Sequence, residues 1–577
     1  MAISESDSRE YSATDADAGL DTMVTMGHHG GTLAQPVSEE SSISASLRPI
    51  FVEQSDEIEH STIPKTYTHR QVGACSLRIL IVATEAPPVR GGIARIVGYL
   101  RDGFQERGHH VDVLAYPEVG RLVFGELRLS SLIFKLPKLL RCINEYDVIH
   151  VHGITPTISD VALFFAHLHR PRPLLIYTHH VDLHFSLGGF LNRVYNHLHH
   201  RLSTRTDAVI AGTQDNLKLL GDSRQGVVIP FGIDLEHFNT DGRKEERFTV
   251  LFVGQFRRYK GVHVLLRAMS QVKGARLLLA GQGPEEQTYR SLAAKLGLDV
   301  EFHIGVDDDQ LLQLYQRAHV VVIPSVSRLE AFGLVLVEGM AAGCVPIASD
   351  LPGVREVVGQ NGFLFPPGNT NRLAEILQGL RDDPVLLQQI GDRARVRAAD
   401  FGRENTICKY ERLITGLIAC RKLKDRLADQ AQSLVLALHA FATDIGRALE
   451  ADWIEIVLRS PWDELHSVAS TGPIRLSDHL QLQQARSLLA WYAINTGDSS
   501  LVGPDNGPLS LRNAVVPEMP AAMVTPLTIG EEHFGALVSM RERPFDQHDL
   551  SSFRRFARYA APSLHAVARR AIAKVDI

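Results

Sequence analysis

The sequence predicts an α/β chain, two tandem Rossmann-like domains followed by a smaller α+β domain, and three observations carry that prediction. Short apolar runs at 77–83, 249–254 and 320–323 alternate with helix-like segments, the pattern of buried parallel strands. Glycine-containing loops join strand to helix, as at 87–92 and 254–261. After Asp425 the order changes to helix, strands, helix, which reads as α+β.

In chain order, residues 1–76 are rich in Ser, Thr, Asp and Glu, with few apolar clusters, and are expected to form a disordered leader. The first residues, Met1 to Asp7, are polar and acidic and lack the basic region and apolar core of a signal peptide. The first ordered domain is placed at 77–240. It opens with the strand 77–83, the loop 87–92, a helix through Ile93 and Val97 that ends by Gly108, and the strand 110–114. Apolar runs at 147–152, 174–178 and 208–211 continue the alternation. The segment from Arg121 to Arg141 interleaves Arg and Lys with Leu, Ile and Phe. Two readings of it stay open, a membrane-surface helix and an ordinary domain helix with snorkelling cations. The second domain, 241–424, adds strands at 249–254, 276–281, 300–304 and 320–323 and ends in an amphipathic helix at about 401–423. The third, 425–577, offers a helix at 427–450, strands at 453–458, 522–527 and 533–540, and a final helix at 546–574.

Composition narrows the function classes. The 577 residues suggest three or four domains, and 45% hydrophobic with 22% charged residues is ordinary for globular protein. A net charge of −6 argues against a general nucleic-acid binder. Five scattered cysteines (Cys75, Cys142, Cys344, Cys408, Cys420) contain no C-x-x-C, so neither a disulfide framework nor a zinc site is expected, and a reducing cytoplasmic compartment is. No apolar run reaches the roughly 18 residues of a membrane-spanning helix.

The chemistry concentrates in a few motifs. Glu330 and Glu338 are eight residues apart (338 − 330 = 8), just after the strand 320–323. A first glutamate ending a glycine loop and a second on the following helix would both face the crevice above the carboxyl ends of a parallel sheet. The loop Gly254-Gln255-Phe256-Arg257-Arg258-Tyr259-Lys260-Gly261 places cations at a strand-to-helix junction, where backbone N–H groups add to a phosphate cradle. Gly91-Gly92 precedes a helix N-terminus, and Gly281-Gln282-Gly283 forms a second strand-end glycine turn. Thr178-His179-His180-Val181-Asp182 ends the strand 174–178.

Taken together, the glutamate pair, Lys260-Gly261 and Thr178-x-His180 resemble family-four retaining glycosyltransferases of the two-domain GT-B fold, whose signature is glutamate, seven residues, glutamate. The resemblance covers about 77–423, and the order of the last domain resembles a GAF-type sensory domain. It implies transfer of a hexose from a UDP- or GDP-sugar to a glycan or glycolipid acceptor, as in bacterial surface polysaccharide assembly. His180, Glu330 and Lys260 fall at its catalytic positions. Gly91, Gly92, Arg257, Arg258, Lys260, Gly281, Gly283, Phe332, Gly333, Leu334 and Glu338 fall at donor-binding positions, with Glu338 at the ribose and Glu330 at the sugar. Asp182 is the acceptor-side candidate.

The family usually has Arg where this chain has Gln255, so Arg257 or Arg258 is expected to supply that charge. Neither a catalytic metal nor a cofactor is implied, and the leaving phosphate would act as base. The remaining histidines of interest (His197, His199 and His200, and His109-His110) are read as surface residues rather than zinc ligands. Asp307 to Asp309 is read as a helix N-cap. The competing function is a catalytically weak nucleotide-sugar-binding regulatory or scaffold protein, with Gln255 marking lost activity. The partners expected are the donor and a glycan or lipid-linked acceptor. Peripheral contact with the inner face of the plasma membrane and homodimerisation through the C-terminal domain are open.

Overall fold

The computed structural model describes residues 76–573 except 90, 116–120, 125–126, 131–142, 154–157, 169–171, 181–188, 221–225, 239–241, 429–433, 460–464, 473–478, 504–505, 509, 512–514 and 516–518. The expected leader, 1–76, lies outside them except for Ser76, and so does Asp182.

Strands apolar on both faces must be covered on both, and short strand–helix–strand units achieve this with a parallel sheet. The first sheet runs β2-β1-β5-β6-β7-β8, all parallel. Its strands are β1 Arg78–Val82, β2 His110–Leu114, β5 Val148–Gly153, β6 Leu174–His179, β7 Ala208–Ala211 and β8 Gly226–Val228. The second runs β11-β10-β9-β12-β13-β14, also parallel. It consists of β9 Thr249–Val253, β10 Arg276–Ala280, β11 Val300–His303, β12 Val320–Ile323, β13 Val345–Ser349 and β14 Phe363–Phe365.

This strand order decides where ligands go. Each sheet winds outward in both directions from its first strand, so the order reverses between β1 and β5 in one and between β9 and β12 in the other. Loops leaving the carboxyl ends of strands on either side of such a switch point diverge and leave a crevice. The loop 254–261 leaves β9 and the loop 324–333 leaves β12. The Gly91-Gly92 loop leaves β1, and His152 lies near the end of β5.

The segment 121–130 differs from expectation. It forms an antiparallel hairpin of β3 Arg121–Phe124 and β4 Leu127–Ser130, with Phe124 opposite Leu127. Leu122 and Val123 pair with Leu129 and Arg128, a period-two arrangement that the basic-apolar composition had disguised as helical.

The helix Arg403–Ala428 runs past residue 424 and lies against the helix Gly92–Glu106. Gly103 admits Ile407, and Arg107 pairs with Glu404 and Glu411 at 3.0 and 3.1 Å. The C-terminal region is a five-stranded antiparallel sheet, β16-β15-β19-β18-β17. Its strands are β15 Trp453–Arg459, β16 Leu465–Thr471, β17 Ser500–Val502, β18 Ala521–Ile529 and β19 Glu532–Arg541. Alternation sends Trp453 and Val457 toward the helix His479–Thr496, and Ile454, Ile456 and Leu458 toward the helices Leu434–Leu449 and Gln547–Ala573.

That second face has no core of its own. Its residues belong to one apolar cluster that continues through Tyr410, Leu413 and Leu417 into the first sheet. Gly416 gives Phe556 room against the crossing helix. Arg555, buried at 7% exposure, donates to the carbonyls of Asp207 and Thr206, and His548 Nδ1 lies 3.2 Å from the Val228 carbonyl. Among the described residues no helix is long and apolar enough to cross a membrane.

Candidate active site

Lys260 and Glu330 meet at the switch point of the second sheet, with Nζ 2.7 Å from Oε2. Ser325 Oγ donates to the same oxygen at 2.9 Å, so Glu330 is fixed from two loops. Burial opposes charge on Lys260, but the Glu330 carboxylate and the neighbouring Tyr259 outweigh it and leave the amine pKa above its ordinary value. The ammonium is therefore held as a cation.

Lys260 owes its position to Gly261, which adopts φ 72° and ψ 18° between a short 3-10 turn (Arg258–Lys260) and the helix Val262–Met269. Gly281 and Gly283 hold the same loop from the other side. A Cβ on Gly281 would lie 1.9 Å from the Gly254 carbonyl oxygen, and one on Gly283 would lie 2.5 Å from that of Phe256. Close chain packing thus explains both glycines. Gln255 Oε1 accepts from Arg257 Nε at 2.9 Å, on an exposed part of the loop.

Glu338 is fully buried on the helix Leu334–Ala341. Tyr315 donates its hydroxyl to Oε2 at 2.7 Å, and Arg95 of the first domain pairs with Oε1. Arg95 also reaches Asp308 at 3.3 Å. Glu338 raises the Arg95 pKa further against the opposing effect of burial, and burial together with Glu338 holds the Tyr315 phenol well above its ordinary range. Any ligand hydroxyl that reached Glu338 would have to displace or share these donors. Asp307 N-caps the helix Asp308–Arg317 through a capping box with Gln310.

The glutamate loop is also clasped from the first domain. Asn216 Nδ2 donates to the Ala331 carbonyl at 2.6 Å, and Glu356 accepts the backbone N–H groups of Gln214 and Asp215 at 2.9 and 2.5 Å. Gly92 faces Leu334 across the cleft, with a Cβ there 3.9 Å from Leu334 Cδ1. Gly333 takes φ 83° and offers no side-chain cap; the Leu336 N–H bonds back to the Gly333 carbonyl at 2.8 Å, and the Leu334 and Val335 N–H groups precede the first intrahelical acceptor.

His180 lies on the first-domain wall, buried at 5% exposure. Its Nε2 is 3.0 Å from His152 Nδ1, and its ring stacks on Phe231 at 5.0 Å. Phe231 meets Phe332 at 5.1 Å, and Phe332 meets Phe401 at 5.8 Å, so an aromatic chain joins His180 to the glutamate loop. Behind it His150 Nε2 contacts Thr178 Oγ1 at 2.7 Å, and Thr178 contacts Tyr410 at 3.3 Å. Burial, reinforced by neighbouring rings, pushes His152 and His180 well below the usual imidazole range and His150 down to about 3. The cluster is neutral.

The structure thus brings together Lys260, Glu330, Glu338, Gly92, Phe332, Gly333, Leu334 and His180, while the Arg257 side chain stays on the exposed side of its loop. Sequence reasoning missed Arg95, Tyr315, Ser325, Asn216 and His152. It also misplaced two histidines. His109 is buried between the Leu77 amide and Glu411, and His199 between Asp160 and Tyr177. Each lies at a helix end or on a helix with polar neighbours, and its partners are remote in sequence. Among the described residues no three His, Cys, Asp or Glu side chains group as metal ligands.

Comparison with known proteins now bears on this geometry. Residues 90–237 match the model of Glycosyltransferase Family 4, and residues 234–397 match that of Glycosyl transferases group 1. Residues 90–397 thus carry the domains of a group 1 type glycosyltransferase. It is 28% identical over 376 residues to the O-antigen chain mannosyltransferase C of Escherichia coli, covering 59% of this chain and 99% of that protein. It is 29% identical over 341 residues to a phosphatidyl-myo-inositol mannosyltransferase of Mycolicibacterium smegmatis, covering 54% and 86%. Among solved structures, sucrose-phosphate synthase from Thermosynechococcus elongatus has a TM-score of 0.49 at 23% identity, covering 60% of this chain and all of that one.

Proposed function

We propose that this glycosyltransferase moves a hexose from a UDP- or GDP-sugar to a glycan or lipid-linked acceptor with retention of configuration and without a catalytic metal, in surface polysaccharide assembly. The observation that carries this is the Lys260–Glu330 pair at a switch-point crevice, with Glu338 on the adjoining helix and neutral His180 on the opposite wall. Relatives named as O-antigen and phosphatidyl-inositol mannosyltransferases support a glycan or glycolipid acceptor.

Departure of a nucleoside diphosphate develops negative charge, and Lys260 with the Leu334 and Val335 N–H groups that open the helix Leu334–Ala341 is preorganised to meet it. Glu330 orients Lys260 and, once the phosphate draws that cation away, is free to accept from a sugar hydroxyl. Glu338 accepts from the ribose after Arg95 releases it, and Arg95 then stands beside the diphosphate. Neutral His180 gives the sugar or acceptor a polar contact without fixed charge. The departing phosphate oxygen takes the acceptor proton on the same face, so the two-carboxylate logic of glycosidases does not apply.

We read the C-terminal α+β region as GAF-like, a reading its antiparallel sheet flanked by helices supports. Incubation with UDP-, GDP- and ADP-sugars, following release of the free nucleotide, tests the transferase reading, which requires release with one donor. The second reading, a nucleotide-sugar-binding regulatory or scaffold protein, is favoured by Gln255 and by the engagement of both Glu338 oxygens. Donor binding without nucleotide release would select it.

A further inference from the structure

The helix Gly189–Ser203 buries one side and leaves the other without cover among the described residues. Inward, His199 is 2% exposed and bonded to Asp160 and Tyr177. Outward, Phe190, Val194 and Leu198 are 73%, 41% and 59% exposed at i, i+4 and i+8. Arg193, His197 and Arg201 are exposed on the same face, interleaved with them. The neighbouring helix Ser159–Leu168 adds Phe164 and Leu168, 51% and 61% exposed.

Single exposed apolar residues need no explanation, but a spaced row of large ones rimmed by cations marks a contact surface. Its charge is one-sided. Between 161 and 206 the sequence holds one acidic residue, Asp182, against five arginines, of which Arg172 is paired with Asp207 and Arg193, Arg201 and Arg205 are exposed. An apolar row interleaved with exposed arginines, its neighbouring carboxylate Asp160 engaged by His199 and Tyr195, has the physical form of an interfacial helix. Arginine stems extend along such a surface and leave the guanidinium at headgroup level.

We propose that the helix Gly189–Ser203 docks this face on a bilayer carrying anionic headgroups, with Phe190, Val194 and Leu198 entering the acyl boundary. The helix begins nine residues after His180, so docking would bring the first-domain wall of the cleft to the membrane surface. The inference rests on the transferase reading only for its purpose, delivery of a lipid-linked acceptor. Vesicle binding requires no catalysis, so the two fail separately.

The test is co-sedimentation of the full chain with phosphatidylglycerol–phosphatidylcholine vesicles and with pure phosphatidylcholine vesicles. Binding is expected to the anionic vesicles and to weaken in about 1 M salt. The variants F190S/V194S/L198S and R193E/R201E should each bind about tenfold more weakly or worse, with unchanged melting and unchanged nucleotide release in lipid-free solution. A wild-type chain left in the supernatant, or variants that sediment like wild type, would overturn the proposal. So would a concentration-dependent dimer abolished by the apolar triple variant, which would assign the face to a second copy.

Discussion

Replacement of Gly261 by Ala is the sharpest structural perturbation of the proposed donor site. At φ 72° an L-residue adopts left-handed backbone, which costs about 1–2 kcal/mol. The added Cβ would also lie 1.8 Å from the Pro324 carbonyl oxygen and 2.7 Å from its carbon. Both are backbone atoms at the end of β12, so no side-chain rotation relieves the overlap. Either the Arg258–Lys260 turn or the strand end must move, and overpacking of this kind costs about 1–3 kcal/mol. The sum is about 3 kcal/mol, which for a domain of this size lowers its melting temperature by about 6–12 °C. The same displacement separates Lys260 from Glu330, so nucleotide release should fall more than stability alone explains. Calorimetry and steady-state nucleotide release on wild type and G261A check both. A variant melting within about 2 °C of wild type and releasing nucleotide at the wild-type rate would refute the reasoning.

Three further predictions follow from the packing. Arg555→Ala removes charged hydrogen bonds to the Asp207 and Thr206 carbonyls and should destabilise the chain by about 2–4 kcal/mol, read by urea unfolding, with faster amide exchange in β8. His150, His152, His180 and His548 are all buried with depressed pKa values, His150 down to about 3 and His548 to about 4. Above about pH 6.5 neither folded nor unfolded chain protonates them. Below it the unfolded chain takes up protons that the folded chain refuses, so stability should fall by about 1.4 kcal/mol per pH unit per histidine, until the pH nears the folded values. Urea midpoints between about pH 7 and pH 5 measure this slope, and constant midpoints would contradict the buried neutral cluster. His152→Phe frees His180 Nε2 and should lower kcat on the order of tenfold while donor affinity, measured calorimetrically, holds.

Much of the two parallel sheets was legible because strands covered on both faces spell continuous apolar runs. The run 320–323 and residues 79–82 of β1 are examples. The meeting of Lys260 with Glu330 was legible because each lies in the loop that leaves a strand, where topology directs it toward the crevice, and Glu338 lies on the helix that follows. The partners of Glu338 were not. Arg95 is 243 residues away and Tyr315 lies within an otherwise ordinary helix, so only the fold brings them together. Burial of His109 and His199 was hidden for the same reason, since Glu411 and Asp160 satisfy them from 302 and 39 residues away. The domain boundary expected at 424 would cut the helix Arg403–Ala428 and separate Phe553 and Phe556 from a core they share with the first sheet.

The central claim is that Glu338 belongs to the donor site and gives up Arg95 to hold the ribose. Titration calorimetry of wild type and Glu338→Gln against UDP- and GDP-sugars tests it most directly. Wild type should bind one class of donor and the variant should bind it about tenfold more weakly, at a melting temperature that shows the fold intact. A folded variant that binds the donor as tightly as wild type, whatever its rate of transfer, would contradict the role assigned to Glu338.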